Sequence, residues 1–186
     1  MKRLFDLLFS VLAGLCLALP LLTIALAVKL TSNGPVLYWS DRVGRHNRPF
    51  RMPKFRSMHV GAPALATHLF RDPDTWLTPI GSFLRKTSLD ELPQLWSVLV
   101  GDMSLVGPRP ALFNQHDLIE QRTRNGIHEL LPGLTGWAQI NGRDDLPISE
   151  KVMFDLDYMR HCSFWFDCYI ILQTAISVTK RDGVSH

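Results

Sequence analysis

The chain has 186 residues, with 20 Lys and Arg against 17 Asp and Glu, a length that suits one domain with a modest core. A net charge of +3 is too balanced for a protein whose main task is coating nucleic acid, and 46% hydrophobic residues exclude a disordered chain. Three cysteines, Cys16, Cys162 and Cys168, are too few and too oddly spaced for a disulfide framework or a zinc site. They suit a reducing compartment, with a single Cys162–Cys168 pair left open.

From Leu7 through Val28 the chain carries no charge, a run of 22 residues between Lys2, Arg3 and Asp6 on one side and Lys29 on the other. As a straight helix it reaches about 33 Å, enough to span a bilayer. A cleaved signal peptide fits Ala25-Leu26-Ala27, but its apolar core should be only ~7–15 residues long. A spanning anchor must accommodate Pro20, which has no N–H to give Cys16. A re-entrant helix that breaks near Pro20 would return both basic ends, Lys2 and Arg3 before and Lys29, Arg42 and Arg45 after, to the cytoplasmic side. Spanning helices also tolerate proline, so the residues alone leave spanning and re-entrant forms open.

Thr31-Ser32-Asn33-Gly34-Pro35 reads as the turn that ends the membrane segment. Val36 to Trp39 is expected as a short strand, Gly44 to Pro49 as a turn and Phe50 to Met58 as a returning strand, together a hairpin. Arg42, Arg45, Arg48, Arg51 and Lys54 recur at every third residue. They can serve a patch for anionic lipid or a phosphate-binding floor. Gly61 to Asp74 reads as a loop. Thr78-Pro79 predicts a helix start, cap then proline, with the helix running to Arg85 or Lys86. Leu89 to Val100 is predicted as a helix with Leu89, Leu92, Leu95, Trp96 and Leu99 on one face, closed by Gly101. Leu112 to Arg124 is a third predicted helix. Phe164 to Val178 is a fourth, too short to span but suited to lying in the interface.

The chemistry concentrates in three segments. In Ser88-Leu89-Asp90-Glu91-Leu92-Pro93, Ser88 and Glu91 fit a capping box, and acids in a first turn complement a helix dipole. Pro93 disturbs that reading, because proline prefers a first helical position. On a turn or helix start, adjacent carboxylates can both reach one cleft, one as nucleophile and the other handling protons or a divalent ion. Gly107-Pro108-Arg109-Pro110 fixes the backbone on both sides of an arginine, giving a stiff fork suited to phosphate. Pro132 through Arg143 is a glycine-punctuated loop around Trp137 that either closes on a nucleotide or packs on the surface. It is not a dinucleotide fingerprint. Lys54-Phe55-Arg56-Ser57-Met58 adds cations.

These segments, in this order, resemble the bacterial sugar transferases, the monotopic phosphoglycosyl transferases. The resemblance runs from the basic-flanked N-terminal helix through Lys54–Met58, Leu89–Leu95, Gly101–Pro110 and Pro132–Arg143 to Val178–Ser185. It implies transfer of a sugar phosphate from a UDP-sugar to polyprenyl (undecaprenyl) phosphate with release of UMP, using Mg²⁺, at the cytoplasmic face of the bacterial inner membrane. It implies Asp90 as the nucleophile of a covalent phosphosugar intermediate, with Glu91 beside it and the metal at this dyad. It also implies Arg85 and Lys54 on phosphate, and Arg109 and the Trp137 loop on the nucleotide sugar. The expected fold is mainly α with a small β-hairpin. Residues 1–31 are expected as a re-entrant helix broken at Pro20, and 32–186 as a cytoplasmic catalytic domain on the membrane surface. Family members often carry serine before this proline; here Leu19 precedes Pro20. Larger relatives carry further spanning helices and a soluble domain ahead of this core, so the chain looks like a minimal catalytic unit. Its role is expected at the start of an exopolysaccharide or lipopolysaccharide pathway, with no nucleic acid as partner and room for a homodimer. The rival readings are a non-catalytic membrane-surface module that binds anionic lipid or a partner through the basic hairpin, and a nucleotidyl transferase, which would release pyrophosphate.

Overall fold

The computed structural model describes residues 2–63, 73–142 and 146–180. Most of the loop read at 61–74, Arg143 and the motif beyond Lys180 lie outside the described residues. The fold is mostly helical, with one three-stranded sheet and a separate pair of parallel strands.

Helix α1 (Lys2–Cys16) and helix α2 (Ala18–Thr31) meet at Leu17 with a bend of 63°. Among the described residues no single helix is long and apolar enough to cross a membrane, whereas this bent pair passes the test as a unit. Pro20 sits in the first turn of α2, three residues past the break. There its missing N–H costs least, because a first turn has no partner for that donor anyway. Leu4, Leu8, Leu12, Leu15, Leu19 and Leu22 all stay exposed along the pair.

Strands β1 (Leu37–Val43) and β2 (Pro49–Phe55) form the expected hairpin, with register running from Leu37 opposite Phe55 to Val43 opposite Pro49. Its tip holds His46 and Asn47 in the left-handed region, at φ 56° and 58°. Arg45 Nε donates to the Glu129 carbonyl (2.7 Å) and Asn47 Nδ2 to Thr123 Oγ1 (3.0 Å), which fastens the tip.

Helix α3 spans Gly81–Lys86 and starts later than Thr78-Pro79 predicts. Thr78 is committed to a turn, its N–H donating to the Ser57 carbonyl (3.0 Å) and its carbonyl accepting from Gly81 (2.8 Å). The predicted helix over Leu89 to Val100 is divided. A 3₁₀ helix covers Leu89–Gln94 and α4 covers Leu95–Val100, closed by Gly101 at φ +101°. Pro93 cannot return an N–H to Leu89, so the α-helical ladder begins only after it.

Strand β3 (Ser104–Val106) leads to β4 (Ala111–Leu112), which joins β1, and then to α5 (His116–Arg124). The helix expected from Leu112 thus starts at His116, its first residues taken by the sheet. Strand β5 (Gly133–Thr135) pairs in parallel with β3 and is followed by the short helix α6 (Trp137–Ile140). Helix α7 (Ile148–His161) was not anticipated; α8 (Phe164–Lys180) was.

Both ends of the bent pair are tied to the same body. At the start of α1, Arg3 donates to the Val98 and Leu99 carbonyls at the end of α4 (2.6 and 2.9 Å). Lys2 Nζ pairs with Asp167 on α8 and donates to the Val106 carbonyl (3.1 Å). Asp6 is buried and accepts from the Leu105 N–H (3.1 Å) and from Ser104 Oγ. Toward the end of α2, Ile24 and Val28 pack with Phe55 and Leu84 in one of the hydrophobic cores.

Candidate active site

Four elements bring the charged residues together. Lys54 lies near the end of β2, Arg85 in the last turn of α3, Asp90 and Glu91 on the 3₁₀ helix, and Arg109 in the turn between β3 and β4. The capping box does not form. Ser88 adopts φ 55° and makes no side-chain cap bond. The Glu91 carboxylate instead accepts from Lys54 Nζ at 2.7 Å and from Arg109 Nη2 at 3.1 Å, both on Oε1. Asp90 and Glu91 both lie within electrostatic reach of Lys54 and Arg109.

The two carboxylates are shifted in opposite directions. Burial pushes Asp90 up to about 6, with the Glu91 charge adding to the rise and Lys54, Arg85 and Arg109 opposing it. Glu91 is also pushed up by burial, but Arg109 and Lys54 outweigh this and hold it well below the usual carboxylate range. Near neutrality Glu91 is therefore a fixed anion that organises two cations, while Asp90 lies close to its own titration.

The Arg109 turn is fastened through its carbonyls. The Pro108 carbonyl accepts from the Gly133 N–H (2.9 Å), that of Arg109 from Arg122 Nη1 (2.7 Å) and that of Pro110 from Arg42 Nη1 (3.1 Å). Gly107 donates to the Thr135 carbonyl (2.9 Å). No side chain fits at Gly107, because a Cβ there would lie 2.3 Å from the Leu131 carbonyl oxygen.

Trp137 is placed differently from the other named residues. Its Nε1 donates to Asp157 Oδ2 on α7 (2.8 Å), and its ring packs against Phe154, Phe166 and Tyr169 at centroid distances of 6.3, 5.1 and 6.3 Å. The segment around it meets the Arg109 turn through the backbone of β5 instead.

Arg122 and Asp155 were missed by sequence reasoning, although a signal was present. Arg122 falls four residues after Leu118 on the buried face of α5, and Asp155 falls between Val152 and Tyr158 on that of α7. A charge inside an apolar stripe needs a partner. Gln94 also went unremarked. It is buried one 3₁₀ turn past Glu91, and its Nε2 has no hydrogen-bond partner among the described residues.

Among the described residues no cluster of three or more His, Cys, Asp and Glu side chains gathers that could hold a metal unaided. The dyad supplies two hard oxygen donors, which fits an ion such as Mg²⁺ that keeps several waters and takes further ligands from substrate phosphates. A neighbouring cation would also favour the ionised form of Asp90.

The sequence model of the family described as "Bacterial sugar transferase" matches residues 1–181. An undecaprenyl-phosphate glucose phosphotransferase of Komagataeibacter xylinus is 47% identical over 93% of this chain and 35% of its own length. A UDP-glucose:undecaprenyl-phosphate glucose-1-phosphate transferase of Escherichia coli is 43% identical over 94% of this chain and 39% of its own length. The chain thus spans less than half the length of these curated relatives. An uncharacterized sugar transferase of Bacillus subtilis matches end to end, at 39% identity over 99% of this chain and 90% of its own. With the profile covering nearly every residue, the chain belongs to the bacterial sugar transferase family.

Proposed function

We propose that the chain transfers a sugar phosphate from a UDP-sugar to undecaprenyl phosphate at the cytoplasmic face of the inner membrane, and so starts a surface-glycan pathway. The observation that carries this reading is the buried Asp90 beside a Glu91 already clamped by Lys54 and Arg109. The activities for which the longer relatives are named agree with it.

In the first step an Asp90 oxygen attacks the phosphorus that bears the sugar. The bond from that phosphorus to the bridging oxygen breaks, and UMP leaves with the electron pair. In the second step a phosphate oxygen of the lipid attacks the same phosphorus, and the Asp90 carboxylate departs unchanged. Splitting the transfer this way lets two large substrates use one cleft in turn. Lys54, Arg85 and Arg109 stand where negative charge grows on the diphosphate. Asp90 and Glu91 would hold Mg²⁺ when it is bound. The ion would neutralise charge on the diphosphate and on the departing UMP.

The acceptor's long tail stays in lipid, so the site must sit at a bilayer surface. Three features support a re-entrant placement of residues 1–31: the bend at Leu17, the exposed leucines along both arms, and the docking of both arms onto one body. A spanning helix would carry Lys2 and Arg3 to the opposite face.

The test is to mix membranes holding the full chain with Mg²⁺, a panel of UDP-sugars and undecaprenyl phosphate. Release of UMP with one sugar, and a mass increment of one phosphosugar on the protein when lipid is omitted, is the expected result. Pyrophosphate release would indicate a nucleotidyl transferase, and no nucleotide product with any sugar would favour a non-catalytic surface module.

A further inference from the structure

We propose that Arg122, seated on Asp155, is a positioning residue that fixes Arg109 through its backbone and so sets how the enzyme grips the donor diphosphate. The inference rests on the reading of Arg109 as a donor-binding residue.

Arg122 Nε and Nη2 both reach Asp155 Oδ2, at 2.9 and 2.7 Å, across the contact between α5 and α7. The side chains are 11% and 2% exposed. A pair serving only to join the two helices would be a poor device, since well-packed apolar residues do that as well or better. The remaining nitrogen, Nη1, points away from α7 to the Arg109 carbonyl at 2.7 Å. That carbonyl lies between two prolines, which lack N–H groups, so carbonyl oxygens carry much of the hydrogen bonding that holds the turn.

Pro108 and Pro110 are buried, while Arg109 between them is partly exposed. A cavity of about 30 Å³ beside them, bordered also by Ile119, Arg122 and Leu130, has room for a water or two. Packing seats the two prolines, and the hydrogen bond to the Arg109 carbonyl sets how the residue between them is turned. The carbonyl held by Arg122 and the side chain that reaches Glu91 belong to one residue, so a displacement of the Arg109 Cα carries the guanidinium with it. Asp155 keeps the Arg122 fork oriented, and Arg42 does the same service for the Pro110 carbonyl one residue on.

The inference is tested by a double-variant cycle on the full chain in lipid nanodiscs, using the UDP-sugar that gives the fastest UMP release. Arg122→Lys keeps a cation for Asp155 but cannot also reach the Arg109 carbonyl in the fork geometry. It should melt close to wild type, yet raise KM for the donor and lower kcat/KM by about tenfold or more. The apolar pair Arg122→Met with Asp155→Leu removes the buried charges together and should give the same kinetic loss. In an Arg109→Ala background neither change should cost anything further, because the side chain being positioned is gone. Equal fold losses in both backgrounds, or wild-type kinetics for Arg122→Lys, would overturn the positioning role. If Arg109→Ala alone leaves turnover unchanged, it is the donor-binding reading of Arg109 that fails.

Discussion

Asp90 combines two demands that pull against each other. The attack on phosphorus proposed for it needs the carboxylate, while burial favours the neutral acid and pushes its pKa up to about 6. With Mg²⁺ limiting, kcat/KM should therefore rise between about pH 5 and pH 7 as Asp90 ionises, and the rise should move to lower pH as Mg²⁺ saturates; a flat profile at limiting Mg²⁺ would reject Asp90 as the group that must be charged. The same shift has a sign for stability. A folded-state pKa above the ordinary 3.8 means that the contribution of Asp90 is fully present below that value. It is lost as pH rises to about 6. Asp90→Asn escapes this loss. It should abolish UMP release yet stabilise the fold at pH 7.5 by on the order of 1–3 kcal/mol, read as a higher melting temperature, with the gain vanishing near pH 4. Arg109→Lys keeps the charge on Glu91 but gives up the planar fork, and it should raise KM for the donor. Unchanged KM in the lysine variant would mean that charge alone matters there.

Among the elements, those built from local chemistry were legible in the sequence and those built from distant partners were not. The hairpin announced itself through strand formers on either side of a Gly44–Pro49 turn, and α8 through a nearly uncharged apolar run. The division of the segment over Leu89 to Val100 was half legible. Pro93 argued against a helix capped at Ser88, but nothing local shows that Glu91 turns to Lys54 and Arg109 instead of back to its own backbone. Of the cations beside the dyad, Arg109 stood out from the sequence through its flanking prolines, while Lys54 and Arg85 were singled out only through the family resemblance. The Trp137 segment misled because its glycines look like loop punctuation. Gly133 and Gly136 are small for another reason: Cβ atoms there would lie 2.1 Å from the backbone N and O of Gly107, respectively. This crossing of β5 and the Arg109 turn is long-range and has no period to read. Gly107→Ala places a methyl against backbone that cannot yield. It should destabilise the protein by about 3 kcal/mol or more, measured by thermal unfolding in detergent. A variant melting within a degree or two of wild type would show that the crossing can open.

At the scale of the whole molecule, the bent helix pair and the candidate site share their supports. Arg3 holds the end of α4, which follows directly on the dyad's 3₁₀ helix, and Val28 fills a core with Phe55, next to Lys54. With the native cysteines replaced, a cysteine placed ahead of Met1 and another at Asn33 should both be labelled only from the cytoplasmic side. Labelling of the first from outside intact cells would establish a spanning helix. The docking of α1 also orders events in time. Lys2 finds its partners 104, 156 and 165 residues later in the chain, whereas Arg3 and Asp6 in the same turns meet theirs by Leu105. The amino end is therefore secured in two stages: a nascent chain that stops before Phe164 already holds Arg3 and Asp6, and the Lys2–Asp167 pair closes over them only once α8 has been synthesised.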